Sequence, residues 1–97
     1  MILVHDTFVA KPGNASKLAK MFKEATKESP DVKSILTDMT GAYNRVIMVS
    51  QYENLAAYEQ SWEKMKGNTE AMKKMEEAMK GYLDMYLTGS REIFQVW

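Results

Sequence analysis

Apolar, β-branched residues are concentrated in three short runs near the start and in the middle of the chain. These runs, Ile2–Ala10, Val32–Met39 and Arg45–Tyr52, predict three strands, the first of them buried on much of both faces. The second and third should form an antiparallel hairpin, because their connection is too short for a parallel crossover. A fourth strand is predicted beyond a break at Gly89 and Ser90, in the apolar residues Ile93, Phe94, Val96 and Trp97.

The segments between these runs place apolar residues every three or four positions, which is typical of amphipathic helices. Asn14 is placed to cap the first helix, which should end before Pro30. Asn54 is placed to cap a second helix, and Gly67 with Asn68 should separate it from a third. The apolar stripes are Ala15, Leu18, Met21, Phe22 and Ala25, then Leu55, Tyr58, Trp62 and Met65, then Met72, Met75, Met79, Tyr82 and Tyr86.

The order strand, helix, strand, strand, helices, strand predicts an α+β fold of ferredoxin-like type. In that fold a four-stranded antiparallel sheet carries its helices on one face. The chain has 97 residues, which is the size of one domain, so we expect residues 1–97 to form a single unit.

The strands are apolar at both alternate sets of positions, which has a consequence for assembly. In the first strand Val4 and Phe8 belong to one set, and Leu3 and Val9 belong to the other. A sheet that faces water on one side should instead alternate cleanly between apolar and polar residues. We therefore expect a second copy of the chain to cover the face that lacks helices, giving a homodimeric α/β barrel.

Charge and composition exclude several function classes. Thirteen basic residues balance thirteen acidic ones, so a nucleic-acid partner and a polybasic membrane-binding face are not expected. The absence of cysteine excludes disulfides, and one histidine with scattered acids does not match the spacing of a metal site. The apolar start is too short to span a membrane and lacks a preceding basic region, which predicts a cytoplasmic protein.

Three stretches of sequence resemble the dimeric α/β-barrel proteins. These are the opening VHDTFVAKPG, the helix NLAAYEQSWEKM with its tryptophan, and the ending GSREIFQVW. Over the whole chain the similarity is to the NIPSNAP-like and antibiotic-biosynthesis-monooxygenase-like branches. The resemblance implies a homodimeric barrel with a small apolar pocket in each subunit. Some members oxygenate aromatic substrates without a cofactor, and others degrade haem.

Trp62 matches the tryptophan of the haem-degrading members, which also use a haem-ligating histidine on the helix after it. The only histidine here is His5, on the first strand, so haem degradation is not expected and no cofactor is predicted.

Four residues are candidates for a site. His5 is the only side chain whose ordinary pKa is near neutrality, so it is either a catalytic base in the barrel interior or a structural histidine. Trp62 either forms a wall of a ligand pocket or anchors the core. Tyr58 and Phe8 are further candidates for ligand binding.

Arg45 and Arg91, each expected at the start of a strand, either bind a carboxylate or form an ion pair between subunits. The sequence contains neither a glycine-rich phosphate loop nor a nucleophile elbow that would name a reaction.

Two functions follow from these residues and from the resemblance. The first is a small-molecule-binding homodimer that acts as a cofactor-independent monooxygenase or isomerase on a small aromatic substrate. The alternative is a non-catalytic dimeric module that binds a ligand or a partner and has a regulatory role.

Overall fold

A computed structural model describes all residues from Met1 to Trp97. In chain order the elements are β1 (Ile2–Ala10), α1 (Ala15–Ala25), β2 (Val32–Thr37), β3 (Arg45–Tyr52), α2 (Leu55–Gly67), α3 (Thr69–Ala78), a short 3-10 turn (Tyr82–Asp84) and β4 (Tyr86–Gln95). The strands form one antiparallel sheet in the order β2-β3-β1-β4. This architecture confirms the predicted ferredoxin-like α+β fold. None of the helices combines the length and the hydropathy that crossing a bilayer requires.

The core lies between the sheet and α1. Leu18 and Phe22 of the helix are buried against Ala10 of β1 and Val46 of β3. Leu18 and Phe22 are four positions apart, so both lie on the same face of α1, as the apolar stripe predicted. Burying aliphatic and aromatic side chains of this size stabilises the fold by about 1.5–3 kcal/mol each.

The helix caps follow the prediction in α2 but not in α1. The Asn54 side chain accepts a hydrogen bond from the amide of Ala57 at 2.8 Å, which confirms it as the cap of α2. Asn14 makes no side-chain cap, because its own φ and ψ of −105° and −6° are already close to helical. Helix α1 ends at Ala25, before Pro30 as predicted, and a hydrogen bond from the Thr26 hydroxyl to the Phe22 carbonyl closes its last turn.

The last strand begins earlier than predicted. Tyr86 is its first residue rather than the end of a helical stripe, because α3 stops at Ala78 and Gly81 adopts a left-handed φ of +86°. The predicted break at Gly89 is also wrong, since β4 runs through it. Gly89 lies opposite Phe8 of β1, whose ring approaches the space that a Cβ of Gly89 would occupy. An aromatic ring in this position shields the glycine of an edge strand.

Two further boundaries differ from the sequence expectation. β2 ends at Thr37 rather than at Met39, because Asp38 turns away to pair with Arg45. Val96 and Trp97 lie beyond the end of β4, and the Trp97 side chain is fully exposed.

One face of the sheet has no helix on it, and we call it the bare face. Strand register places alternate residues there, with Leu3 beside Phe94 and Ile47 beside Leu36. Leu36 and Phe94 are exposed, although both are large apolar side chains. The apolar members of the bare face are Leu3, Val9, Leu36, Ile47, Val49 and Phe94.

Candidate functional site

A cleft of about 530 Å³ lies between α2 and β4, on the helix-covered side of the sheet. It is open to solvent on one side, and we call it the Trp62 cleft. Helix α2 supplies most of its wall, and alternate residues of β4 supply its floor. The lining residues are Leu55, Tyr58, Glu59, Trp62, Lys66, Arg91 and Ile93.

Three of the four apolar stripe residues of α2 line this cleft, namely Leu55, Tyr58 and Trp62. No residue of α2 is buried, and Trp62 remains 45% exposed. Tyr58 and Trp62 are four positions apart, so their side chains meet on the same face of the helix. Their ring centroids are 6.3 Å apart and the rings are nearly perpendicular. Trp62 is therefore a wall of the cleft rather than an anchor of the core.

The guanidinium of Arg91 lies against both of these rings. Its central carbon is 5.5 Å from the centroid of Trp62 and 5.9 Å from that of Tyr58. Contacts of this kind between a cation and the faces of aromatic rings are attractive and strengthen as water is removed. The cleft therefore joins a positive charge to two flat apolar surfaces.

Asp6, on the neighbouring strand, holds Arg91 in this position. The two residues are directly opposite each other on β1 and β4, and Arg91 Nε donates to Asp6 Oδ1 at 2.5 Å. Asp6 is buried, and its hydrogen bond raises the pKa of the Arg91 guanidinium above its already high usual value. The positive charge is thus permanent. The two terminal nitrogens of Arg91 make no hydrogen bond within the chain.

Two tyrosines lie beside this ion pair. The Tyr52 and Tyr58 rings meet edge to face with their centroids 5.0 Å apart. Burial is the main reason that the pKa of the Tyr52 phenol is raised, so this phenol stays protonated at neutral pH. The Tyr58 hydroxyl is buried and has no hydrogen-bond partner within the chain. Unpaired polar atoms of this kind are uncommon and cost about 1–3 kcal/mol.

The structure brings together two of the four predicted site residues. Trp62 and Tyr58 both line the cleft. His5 lies on the bare face instead, with its ring 5.0 Å from that of Phe94, so it cannot act together with Trp62 in the cleft of one chain. Phe8 packs in the core between the rings of Phe22 and Tyr86. The catalytic role of His5 and the ligand-binding role of Phe8 stay predictions.

The pair of Asp6 and Arg91 was not predicted from the sequence. Arg91 lies in the middle of β4 rather than at a strand start, because the strand begins five residues earlier. Asp6 shares its set of alternate positions with Val4 and Phe8, which are apolar. A charged residue in such a set requires a partner, and that signal was present in the sequence. The structure contains no group of three or more potential metal-ligating side chains.

Comparison with known proteins identifies the fold. No protein-family model matches the chain, and neither does any curated protein. Among solved structures, an uncharacterized NIPSNAP domain protein from Burkholderia xenovorans superposes with a TM-score of 0.81 at 10% identity, over 100% of this chain and 95% of the other. The fold is that of the NIPSNAP domain proteins.

Two more solved structures share this fold with the chain. A NIPSNAP family protein from Agrobacterium tumefaciens matches with a TM-score of 0.77 and 11% identity, over 97% of this chain and 90% of its own. A proposed antibiotic biosynthesis monooxygenase from Nitrosomonas europaea gives a TM-score of 0.67 and 11% identity, over 99% of this chain and 98% of its own. At these identities the likeness concerns the fold, which agrees with the resemblance seen in the sequence.

Proposed function

We propose that this protein is a homodimer that binds a small aromatic molecule in the Trp62 cleft of each subunit. The observation that carries the proposal is that Arg91 lines the cleft together with Tyr58 and Trp62, with its guanidinium against both of their rings. An open, partly apolar cleft with a few convergent polar groups is the usual form of a small-molecule site. A planar ligand can pack against the exposed face of Trp62 and displace water from it.

The bare face supports the homodimer. Its apolar side chains extend across all four strands, and helices cover only the opposite face. Exposed apolar patches of this extent are typical of interfaces. A second copy of the same face is the simplest cover, since a twofold axis pairs a surface with itself. His5, in the centre of that face, would then lie in the shared interior of the barrel.

Sedimentation equilibrium tests the homodimer. The wild-type chain should be dimeric at micromolar concentration, and Val49→Lys should be monomeric because it places a charge in the bare face. Leu83→Lys is the matched control, since Leu83 is an exposed leucine in the 3-10 turn and lies outside the bare face. A monomeric wild-type chain, or equal dissociation of both variants, contradicts the homodimer.

A ligand screen tests the cleft. Phenols, quinones and short aromatic acids should raise the melting temperature of the wild-type protein, because a ligand that binds only the folded state stabilises it. Trp62→Ala should weaken the affinity for the best ligand by about tenfold, given the stacking surface removed. Trp97→Ala is the matched control, because Trp97 is fully exposed and does not line the cleft. Equal effects of the two substitutions would place the ligand elsewhere.

Cofactor-independent oxygenation is the activity that we propose to test first. It is supported by the fold shared with a proposed monooxygenase and by the fixed charge of Arg91, which can stabilise negative charge developing on a phenolate or enolate oxygen. One oxygen atom enters the ring and the other leaves as water. The substrate loses two hydrogen atoms and supplies all four electrons, so no external reductant is needed.

Mass spectrometry of the bound ligand distinguishes this activity from its alternatives. A product found under air and absent under nitrogen supports the oxygenase. A rearranged product of unchanged mass under both gases supports an isomerase. A ligand recovered unchanged from a stabilised protein supports the non-catalytic binding module.

A further inference from the structure

Arg91 offers the Trp62 cleft more hydrogen-bonding capacity than the chain itself uses. A guanidinium has five N–H donors in one plane, and within the chain only Nε is engaged, by Asp6. About half of the Arg91 side chain is exposed, and the residue lines the cleft. The terminal pair of nitrogens is therefore both free and accessible.

The charges around the cleft favour an anion at this point. Two cationic residues, Lys66 and Arg91, line the cleft, and Glu59 is the only acidic residue that lines it. Asp6 does not line the cleft, because it lies beneath Arg91 and is buried. A ligand anion would thus meet the donors of Arg91 without meeting the carboxylate of Asp6.

We propose that the ligand is a planar aromatic carboxylate, bound by the terminal nitrogens of Arg91 and packed against Trp62. Arg91 is then the residue that determines specificity, and Asp6 is a positioning residue that acts through it. This inference rests on the proposed function, since it names the chemical class of the ligand in the same cleft. The parallel N–H donors of a guanidinium match the two oxygens of a carboxylate, which gives direction as well as affinity.

Asp6 can position Arg91 because both belong to the sheet. The register of β1 and β4 makes them direct partners, so the distance between their backbones is fixed by strand pairing. With Nε held by Asp6, the plane of the guanidinium is set before a ligand arrives. Fixing the donors in advance reduces the entropy lost on binding.

Two pairs of probes separate recognition of charge from recognition of the ring. Each pair has one aromatic body and differs only in its polar group: 2-naphthoate with 2-naphthamide, and benzoate with benzamide. By calorimetry the wild-type protein should bind each acid about tenfold or more tightly than its amide, because charge-assisted hydrogen bonds are the stronger ones. Arg91→Gln should reduce this ratio to about one, because it weakens binding of the acid far more than binding of the amide.

Asp6→Asn tests the positioning role through the same ratio. It should lower the affinity for the acid by several-fold and leave that for the amide unchanged, because the orientation of Arg91 is weakened while the cleft remains. A merely structural role for Asp6 would lower both affinities together. Tighter binding of the acid would show that Asp6 only repels anions, and this result would overturn the positioning role.

Arg45→Gln is the matched control for Arg91→Gln. Arg45 also donates from Nε to an aspartate, Asp38, at 3.0 Å, but it lies in the hairpin of β2 and β3 and does not line the cleft. The Arg45→Gln variant should have the same ratio of acid to amide affinity as the wild-type protein. Equal binding of acids and amides by the wild type would overturn the carboxylate proposal and leave the aromatic site standing. Failure of all four probes to bind would overturn the proposed function together with this inference.

Discussion

Two aspartate–arginine pairs in this chain have nearly the same chemistry and different surroundings. In both, Nε of the arginine donates to the aspartate, and the aspartate side chains are 10% and 9% exposed. Asp6 and Arg91 are 85 positions apart and join the first strand to the last beneath an aromatic cleft. Asp38 and Arg45 are seven apart and close a hairpin loop whose residues 39–43 are all exposed.

The surroundings of each ion pair decide what the pair does for the protein. The hairpin pair fixes a local turn and does not line the Trp62 cleft. The pair of Asp6 and Arg91 holds a cation against two rings and leaves its terminal donors free. Breaking each pair separately should therefore affect different properties.

The largest effect is expected from Arg91→Ala. It leaves the buried carboxylate of Asp6 without a partner, and losing one member of a buried pair costs about 3–5 kcal/mol, less where the other member is half exposed. We expect a loss of about 3 kcal/mol in the free energy of unfolding by urea. Arg45→Ala should lose less, because the Asp38 carboxylate keeps its hydrogen bond from the backbone amide of residue 45, which is 3.3 Å long in the wild type. Equal losses would show that the two pairs are equivalent for stability.

The next effect should come from Gly41→Ala, which disturbs the hairpin pair without removing a charge. Gly41 has a φ of +126°, and an added Cβ would lie 2.5 Å from a terminal nitrogen of Arg45. We expect a loss of about 1–2 kcal/mol in unfolding free energy from the backbone strain and the displaced arginine. The affinity for a cleft ligand should not change, and a change would link the two regions.

A smaller effect is expected from acid. The hydrogen bond from Arg45 holds the pKa of Asp38 below its ordinary value of 3.8. A carboxyl whose pKa is lower in the folded state adds stability above its unfolded pKa, and the stability is lost as the pH falls through the folded value. The stability difference between wild type and Asp38→Asn should thus be present at pH 7 and shrink below about pH 4. A difference that is constant down to pH 2 would contradict the pairing.

The smallest effect concerns Tyr52, beside the pair of Asp6 and Arg91. Because burial raises its pKa above 10.0, Tyr52 adds stability that is complete below pH 10 and is lost as the pH rises through the folded value. Absorbance at alkaline pH should show one phenol fewer titrating above pH 10 in Tyr52→Phe. A lost phenol that titrates around pH 10 rather than above it would mean that Tyr52 is open to water.

Most of the fold could be predicted from local signals. Three of the four strands and the three helices follow from periodicity, because one face of each element must be apolar to pack. The extent of β4 could not be predicted, since Gly89 is shielded by Phe8, a residue 81 positions away in sequence. A local sequence pattern cannot predict a contact between residues that are so far apart in the chain.

The candidate site was predictable only in part. Trp62 and Tyr58 share a helix face, so their spacing alone places them together. The junction of Arg91 with Asp6 depends on the register between β1 and β4, which a single sequence does not specify. A shift of one residue would send Arg91 to the bare face, where His5 lies.

The pairing of the first strand with the last also decides when the cleft exists. β1 and β4 are at opposite ends of the chain, so they cannot pair until nearly all of it is available. Closing so long a loop costs conformational entropy, and this cost slows folding. The cation, the rings and their support therefore assemble only in the final stage of folding. A partly folded chain has helices and a hairpin but no binding site. The amount of bound ligand would therefore measure the fraction of chains that have folded completely.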